Sequence, residues 1–177
     1  VLESLRQNWH NAVNLGCGEL KFEGSINCDI CGDVDMMLDA QMLPFKSDSL
    51  GMIEAHHLLE HFGHGETRKI LREWRRCICD KGLLVISVPD CEAMFSLMTS
   101  ERTRAIPEKV KWNALNMYIY GNQEHEGQYH KSGFSSQYLG QILMDEGFKI
   151  VDIWRGFPNR PTPSFCIIAK KEGGEEQ

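Results

Sequence analysis

The run Leu83-Leu84-Val85-Ile86-Ser87-Val88 constrains the fold of this chain more than any other stretch. It is almost wholly apolar, shows no alternation, and stops at Pro89-Asp90. A strand without alternation is buried on both faces, and such strands lie inside parallel sheets covered by helices. Residues 66–79 precede it and place Ile70, Leu71, Trp74, Cys77 and Ile78 at helical spacing, with charges on the other face. Asp80-Lys81-Gly82 is expected to end that helix. Shorter strands are expected at 12–15, 25–30, 34–38, 50–55, 149–154 and 164–169. Further helices fit 91–100, 107–120 and 136–146, with Pro107 in a first turn, Ser135 or Ser136 as a cap and Gly147 as a stop. The pattern predicts an α/β doubly wound, mostly parallel sheet. The last two strands are joined by the Pro-rich turn 156–163, too short for a parallel crossover, so they are expected to pair as an antiparallel edge hairpin.

Length and charge narrow the function classes. The 177 residues suit one domain over 1–170, followed by a flexible charged tail at 171–177. A formal net charge of -6 argues against nucleic acid as the partner, because phosphates want a basic surface. Arg72, Arg75 and Arg76 read as the wet face of a helix. No apolar run approaches the roughly 18 residues of a membrane span. Residues 1–14 carry Glu3, Arg6 and His10 and read as no secretory leader. The 7 cysteines are odd in number and irregularly spaced, which suggests reduced thiols in the cytoplasm. Cys28-x-x-Cys31 is half a zinc knuckle without a matching second pair, so no metal is expected.

In an open α/β sheet, ligands bind beyond the carboxyl ends of the strands. Those ends carry Gly16-Cys17-Gly18, then Asp29, then Asp39-Ala40, then His56-His57, then Pro89-Asp90. Glycines let a ligand approach backbone N–H groups closely. Asp29 is placed to accept from a ribose diol, and Asp39 from an adenine amino group. The combination resembles class I S-adenosylmethionine-dependent methyltransferases, and within them a small type 11-like subgroup. Val13 to Gly18 resembles the first motif, Ile26 to Ile30 the strand after it, and Asp39 to Phe45 the adenine-side segment. Ala55 to Phe62, Leu71 to Arg76 and Leu83 to Pro89 are similar to the fourth-strand motif and to the helix and strand that follow it. The stretch Gly121 to Phe134 and the Gly147-Phe148 step resemble the subgroup.

The resemblance implies a Rossmann-like fold with S-adenosylmethionine as cofactor. Gly16, Cys17 and Gly18 would pass under its methionine part. Asp29, with Ile30 beside it, would hold the ribose. Asp39, Ala40 and Gln41 would flank the adenine, and His56 would lie near the sulfonium. One departure stands out: Asp29 lies only 11 residues beyond Gly18, so the first crossover helix is shortened or missing. The gap exposes one side of the site, which a neighbouring subunit of a homo-oligomer could cover. It also disfavours a dinucleotide, whose pyrophosphate needs that helix.

Methyl transfer is activated by the sulfonium, so the protein mainly orients the acceptor and supplies a base where a proton must leave. His56, His125 and His130 are the candidate catalytic residues, with His57, His61 and Asp90 also in reach of the strand ends or of the polar loop 121–131. The expected partner is a small-molecule or saccharide-type acceptor. A catalytically inactive binding module of the same fold and another nucleotide-cofactor enzyme are the competing readings.

Overall fold

The computed structural model describes residues 9–124, 126–157 and 160–173. The spine is the expected apolar strand, and every residue from Leu83 to Pro89 is buried. In chain order the strands are β1 (Ala12–Leu15), β2 (Ser25–Asp29), β3 (Met36–Met37), β4 (Leu50–His56), β5 (Ile78–Pro89), β6 (Phe148–Phe157) and β7 (Arg160–Lys171). The helices are α1 (Thr67–Cys77), α2 (Cys91–Thr99), α3 (Glu108–Tyr120) and α4 (Ser136–Asp145). One sheet holds all seven strands in the order β3-β2-β1-β4-β5-β7-β6. Strands β1 to β5 pair parallel, and β7 runs antiparallel between β5 and β6. The predicted edge hairpin is therefore present, with its second strand innermost.

The two faces of the sheet are unequal. Val13, Leu15, Ile53, Ala55, Leu84 and Ile86 face the larger core, packed with Leu71 and Trp74 of α1 and Leu139 and Leu143 of α4. Ala12, Met52, Leu83, Val85, Cys166 and Ile168 face a smaller one, backed by Trp9 and Trp154. Helix α1 buries Ile70, Leu71, Trp74 and Cys77 and leaves its charges outward, as the periodicity requires. Helix α4 is capped by Ser135, whose hydroxyl accepts from the Tyr138 N–H.

No helix lies between β1 and β2, so residues 16–24 form turns alone. Two other elements differ from expectation. Strand β5 starts at Ile78, because Leu50 pairs with Ile78 and Met52 with Leu83. The polar Cys79 to Gly82 stretch is thus a bulge, with Lys81 at φ 63, and not the space between a helix and a later strand. Strand β7 reaches Lys171, whose ammonium donates to Asp48 (2.6 Å) and to the Ile78 carbonyl (2.7 Å). The cross-strand ladder and this anchor hold a residue that composition alone assigns to a tail. Gly51, at the start of β4, admits the N-terminal segment: a Cβ there would lie 2.7 Å from the His10 carbonyl oxygen and 2.8 Å from the Trp9 ring.

Candidate active site

The chain leaves β1 toward β2 on one side and leaves β4 toward β5 on the other. The crevice for a ligand in this kind of sheet opens where that reversal occurs. Beyond β1, Gly16 and Gly18 take φ 63 and 48. A Cβ on Gly16 would come within 2.6 Å of Leu58, whereas one on Gly18 meets open space, so only the first is also held by packing.

The missing helix is replaced by side chains. Asn14 is buried in the middle of β1 and donates to the Leu20 carbonyl (2.7 Å) and to Asn27 Oδ1 (3.1 Å). Asn27 Oδ1 also accepts from the Phe22 N–H (2.8 Å), and the Asn27 amide donates to Phe22, Ser25 and Asp35. Asp35 in turn accepts from the Asn27 backbone N–H (2.8 Å), and those Asn27 bonds hold its carboxyl below the usual range. The glycine turn is thereby fixed without helical N–H groups. Asn14 and Asn27 were missed in the sequence, although a polar residue inside the run Ala12-Val13-Asn14-Leu15 is the signal that could have found the first of them.

Asp29 ties the turn to the end of β2. It accepts from the Gly18 N–H (2.8 Å) and from the Ile30 N–H (2.6 Å), and it stays half-buried. Asp39 accepts from the Gln41 N–H (2.8 Å) and is exposed, and the Ala40 carbonyl is held by the Trp74 indole at 2.8 Å. A cleft of about 670 Å³ runs from Gly16, Cys17 and Gly18 past His56 and His57 to Glu60, His61 and His130. Asp29 borders it through Gly18. Ile30, Asp39, Ala40 and Gln41 lie outside its lining, further along the strand ends.

The histidines fall into two groups. His56 is buried, with Nε2 donating to Glu54 at 3.1 Å and Nδ1 on the Ser87 hydroxyl at 3.0 Å. The Phe22 ring meets it edge-on, with centroids 5.5 Å apart. It is part of the cleft floor with both ring nitrogens engaged. Asp90 caps α2 through the Ala93 N–H and accepts from Arg155, so it serves structure. His61 and His130 lie ring to ring, with centroids 5.0 Å apart, beside the buried Glu60. Burial holds the His130 imidazole below its ordinary pKa, partly offset by the Glu60 carboxylate. Gly121, Asn122 and Gln128 of the polar loop share the cleft wall. His125 lies outside the described residues.

No helix among the described residues is long and apolar enough to cross a membrane. No curated protein sequence matches this chain. Residues 14–86 match the family model described as a methyltransferase domain. A SAM-dependent methyltransferase from Archaeoglobus fulgidus superposes with a TM-score of 0.63 at 17% identity, covering 96% of this chain and 93% of its own. One from Methanosarcina mazei gives 0.62 at 14%, covering 93% of each chain. A Burkholderia thailandensis 1,6-didemethyltoxoflavin-N1-methyltransferase, with bound 1,6-didemethyltoxoflavin and S-adenosylhomocysteine, gives 0.63 at 12%, covering 96% and 77%. The chain thus shares the Rossmann-like fold of these methyltransferases, and its stretch from the glycine turn into β5 is similar to a methyltransferase domain.

Proposed function

We propose that the chain transfers the methyl group of S-adenosylmethionine to a small-molecule or saccharide-type acceptor bound at the histidine end of the cleft. The observation that carries this reading is the continuity of one cleft from the Gly16-Cys17-Gly18 turn to His130. The methionine part of the cofactor lies over the turn. Asp29 turns its remaining lone pairs to the ribose diol, with Ile30 alongside, and Asp39, Ala40 and Gln41 flank the adenine. His56 closes the floor near the sulfonium, while His130 works at the acceptor end. The structurally similar Burkholderia enzyme holds 1,6-didemethyltoxoflavin, which supports a small-molecule acceptor on this fold.

The reaction is an in-line displacement at carbon, and the protein's contribution is to hold the two partners at roughly 3–3.5 Å. The seven free cysteines, four of them buried, suit the reducing cytoplasm. The bare side of residues 16–24 suits cover by a second copy of the chain.

A thermal-shift titration with S-adenosylhomocysteine, with NAD as control, tests the cofactor part. Ligand at 100 times its dissociation constant adds about 2.7 kcal/mol of stability. Asp29→Ala loosens the Gly18 turn as well as the ribose contact, so its ligand shift is read against its own unliganded melting temperature. Loss of that shift supports the assignment, and a full shift in the variant refutes it. Methyl transfer from labelled cofactor across small-molecule and saccharide panels tests the acceptor part. Cofactor binding with no turnover across those panels would favour the inactive binding module.

A further inference from the structure

We infer that Glu60, His61 and His130 form a binding site for a divalent transition-metal ion of the zinc type at the acceptor end of the cleft. One ligand atom from each of the three lies within 4.8 Å of the other two. Glu60 and His61 sit in the turn after β4, and His130 arrives from the polar loop some 70 residues later. The backbone fixes that meeting. The Lys131 and Ser132 N–H groups donate to the Glu60 carbonyl at 2.7 and 3.2 Å, and the His130 N–H donates to the Tyr120 carbonyl at 3.1 Å.

Two further observations point to a cation. His61 Nδ1 is 3.1 Å from the Tyr129 carbonyl oxygen, and His130 Nδ1 is 2.8 Å from that of Tyr118. A carbonyl only accepts, so each Nδ1 carries the hydrogen and each Nε2 is left with the lone pair. Metal-binding histidines are oriented in this way, by a carbonyl or carboxylate on the far nitrogen. Glu60 supplies the second observation. Its side chain is 1% exposed, Oε1 accepts from His57 at 3.1 Å, and the buried Oε2 has no hydrogen-bond partner. A carboxylate oxygen removed from water without a partner is costly. A cation beside two imidazole nitrogens removes that cost.

Two imidazoles and one carboxylate suit zinc and its first-row neighbours better than magnesium or calcium. Three protein ligands leave a coordination position open, as in catalytic zinc sites. All three residues line the cleft that carries the glycine turn. On the methyl-transfer reading, on which this role rests, the open position takes a hydroxyl oxygen of the acceptor. The bound hydroxyl releases its proton to solvent. Its oxygen forms the bond to the methyl carbon as the carbon–sulfur bond breaks, and the electron pair of that bond stays on sulfur to give S-adenosylhomocysteine.

The test uses chelator-treated protein titrated with Co2+ and followed by visible absorption. The expected result is a ligand-field band that saturates at one ion per chain, is displaced by Zn2+, and is absent from the His61→Ala/His130→Ala double variant. Glu60→Gln should weaken binding at least roughly tenfold, and His57→Ala, which frees the carboxylate to turn, roughly 10–100-fold. A missing band in the parent protein, or the same band in the double variant, overturns the site. If the double variant fails to fold, His130→Gln alone decides by the same reading. S-adenosylhomocysteine thermal shifts run in parallel separate the two readings. A cobalt band without a cofactor shift keeps the metal site and removes the methyl-transfer role, whereas a cofactor shift without a band does the reverse.

Discussion

Replacing Gly121 by Ala should detach the polar loop from the cleft while leaving the sheet folded. Gly121 ends α3 at φ 79 and ψ 179, a region essentially restricted to glycine. An added Cβ would stand 1.8 Å from the Gln128 carbonyl oxygen, and that neighbour is backbone, so no rotamer change relieves the contact. The conformational strain is about 1–3 kcal/mol. Separating the strands of the Gly121–Tyr129 bridge also loses hydrogen bonds, among them His130 N–H to Tyr120, worth about 1 kcal/mol each. Opening the loop caps the loss, and a net destabilisation of about 2–4 kcal/mol follows. For a chain of this size each kcal/mol lowers Tm by about 2–4 °C. The control is Gly18→Ala, also at positive φ but with nothing within 4 Å of the new Cβ, which should cost only about 1–2 kcal/mol. Thermal melts give the two costs, and hydrogen exchange over 121–134 shows whether the loss is local. Equal costs in the two variants, or unchanged protection of the loop, would refute the argument.

Trp74→Phe should cost about 2–4 kcal/mol in urea melts, since it leaves the Ala40 carbonyl without its indole donor and shrinks a fully buried side chain. On the proposed cofactor site, where Ala40 would flank the adenine, it should also weaken S-adenosylhomocysteine binding. Asn14→Leu should remove the donor shared by Leu20 and Asn27 and cost about 2–4 kcal/mol, with proteolysis at 18–24 as the readout. Glu146 is held below the usual carboxylate range by hydrogen bonds from Arg72 and then Arg68, against its desolvation. A depressed folded pKa gives stability that is present above the unfolded value and lost as pH falls through the folded one. The Tm gap between the parent and Glu146→Gln should therefore be widest near neutral pH and close in acid, and a gap that grows in acid would be incompatible with this ion pair.

Much of the fold was legible because burial writes itself into the sequence. Leu83 to Val88 had to be central, and the stripe through Ile70, Leu71 and Trp74 had to be one helix face. The missing first helix was legible from spacing, since the glycine turn and Asp29 are too close for one. Its substitute was not, because a web of amide hydrogen bonds leaves no period. The start of β5 was hidden for a related reason. Asp80-Lys81-Gly82 reads as a stop, yet the ladder between Leu50 and Ile78 resumes on its far side. At the site, Gly16, Gly18, Asp29 and His56 were visible as residues at strand ends. The meeting of Glu60 and His61 with His130 was not, because it depends on where a loop returns. The need for glycine at position 51 was hidden as well, because it makes room for Trp9 and His10.

The web around Asn14 and Asn27 has one more consequence. A helix frays from its ends, so damage to it is graded and its first turn outlasts its last. A hub of two side chains has no ends. Break either amide and the segments anchored at Leu20, Phe22, Ser25 and Asp35 come loose together, taking the glycine turn with them. The glycine turn of this chain should therefore behave as a latch, either shut or sprung, with little between.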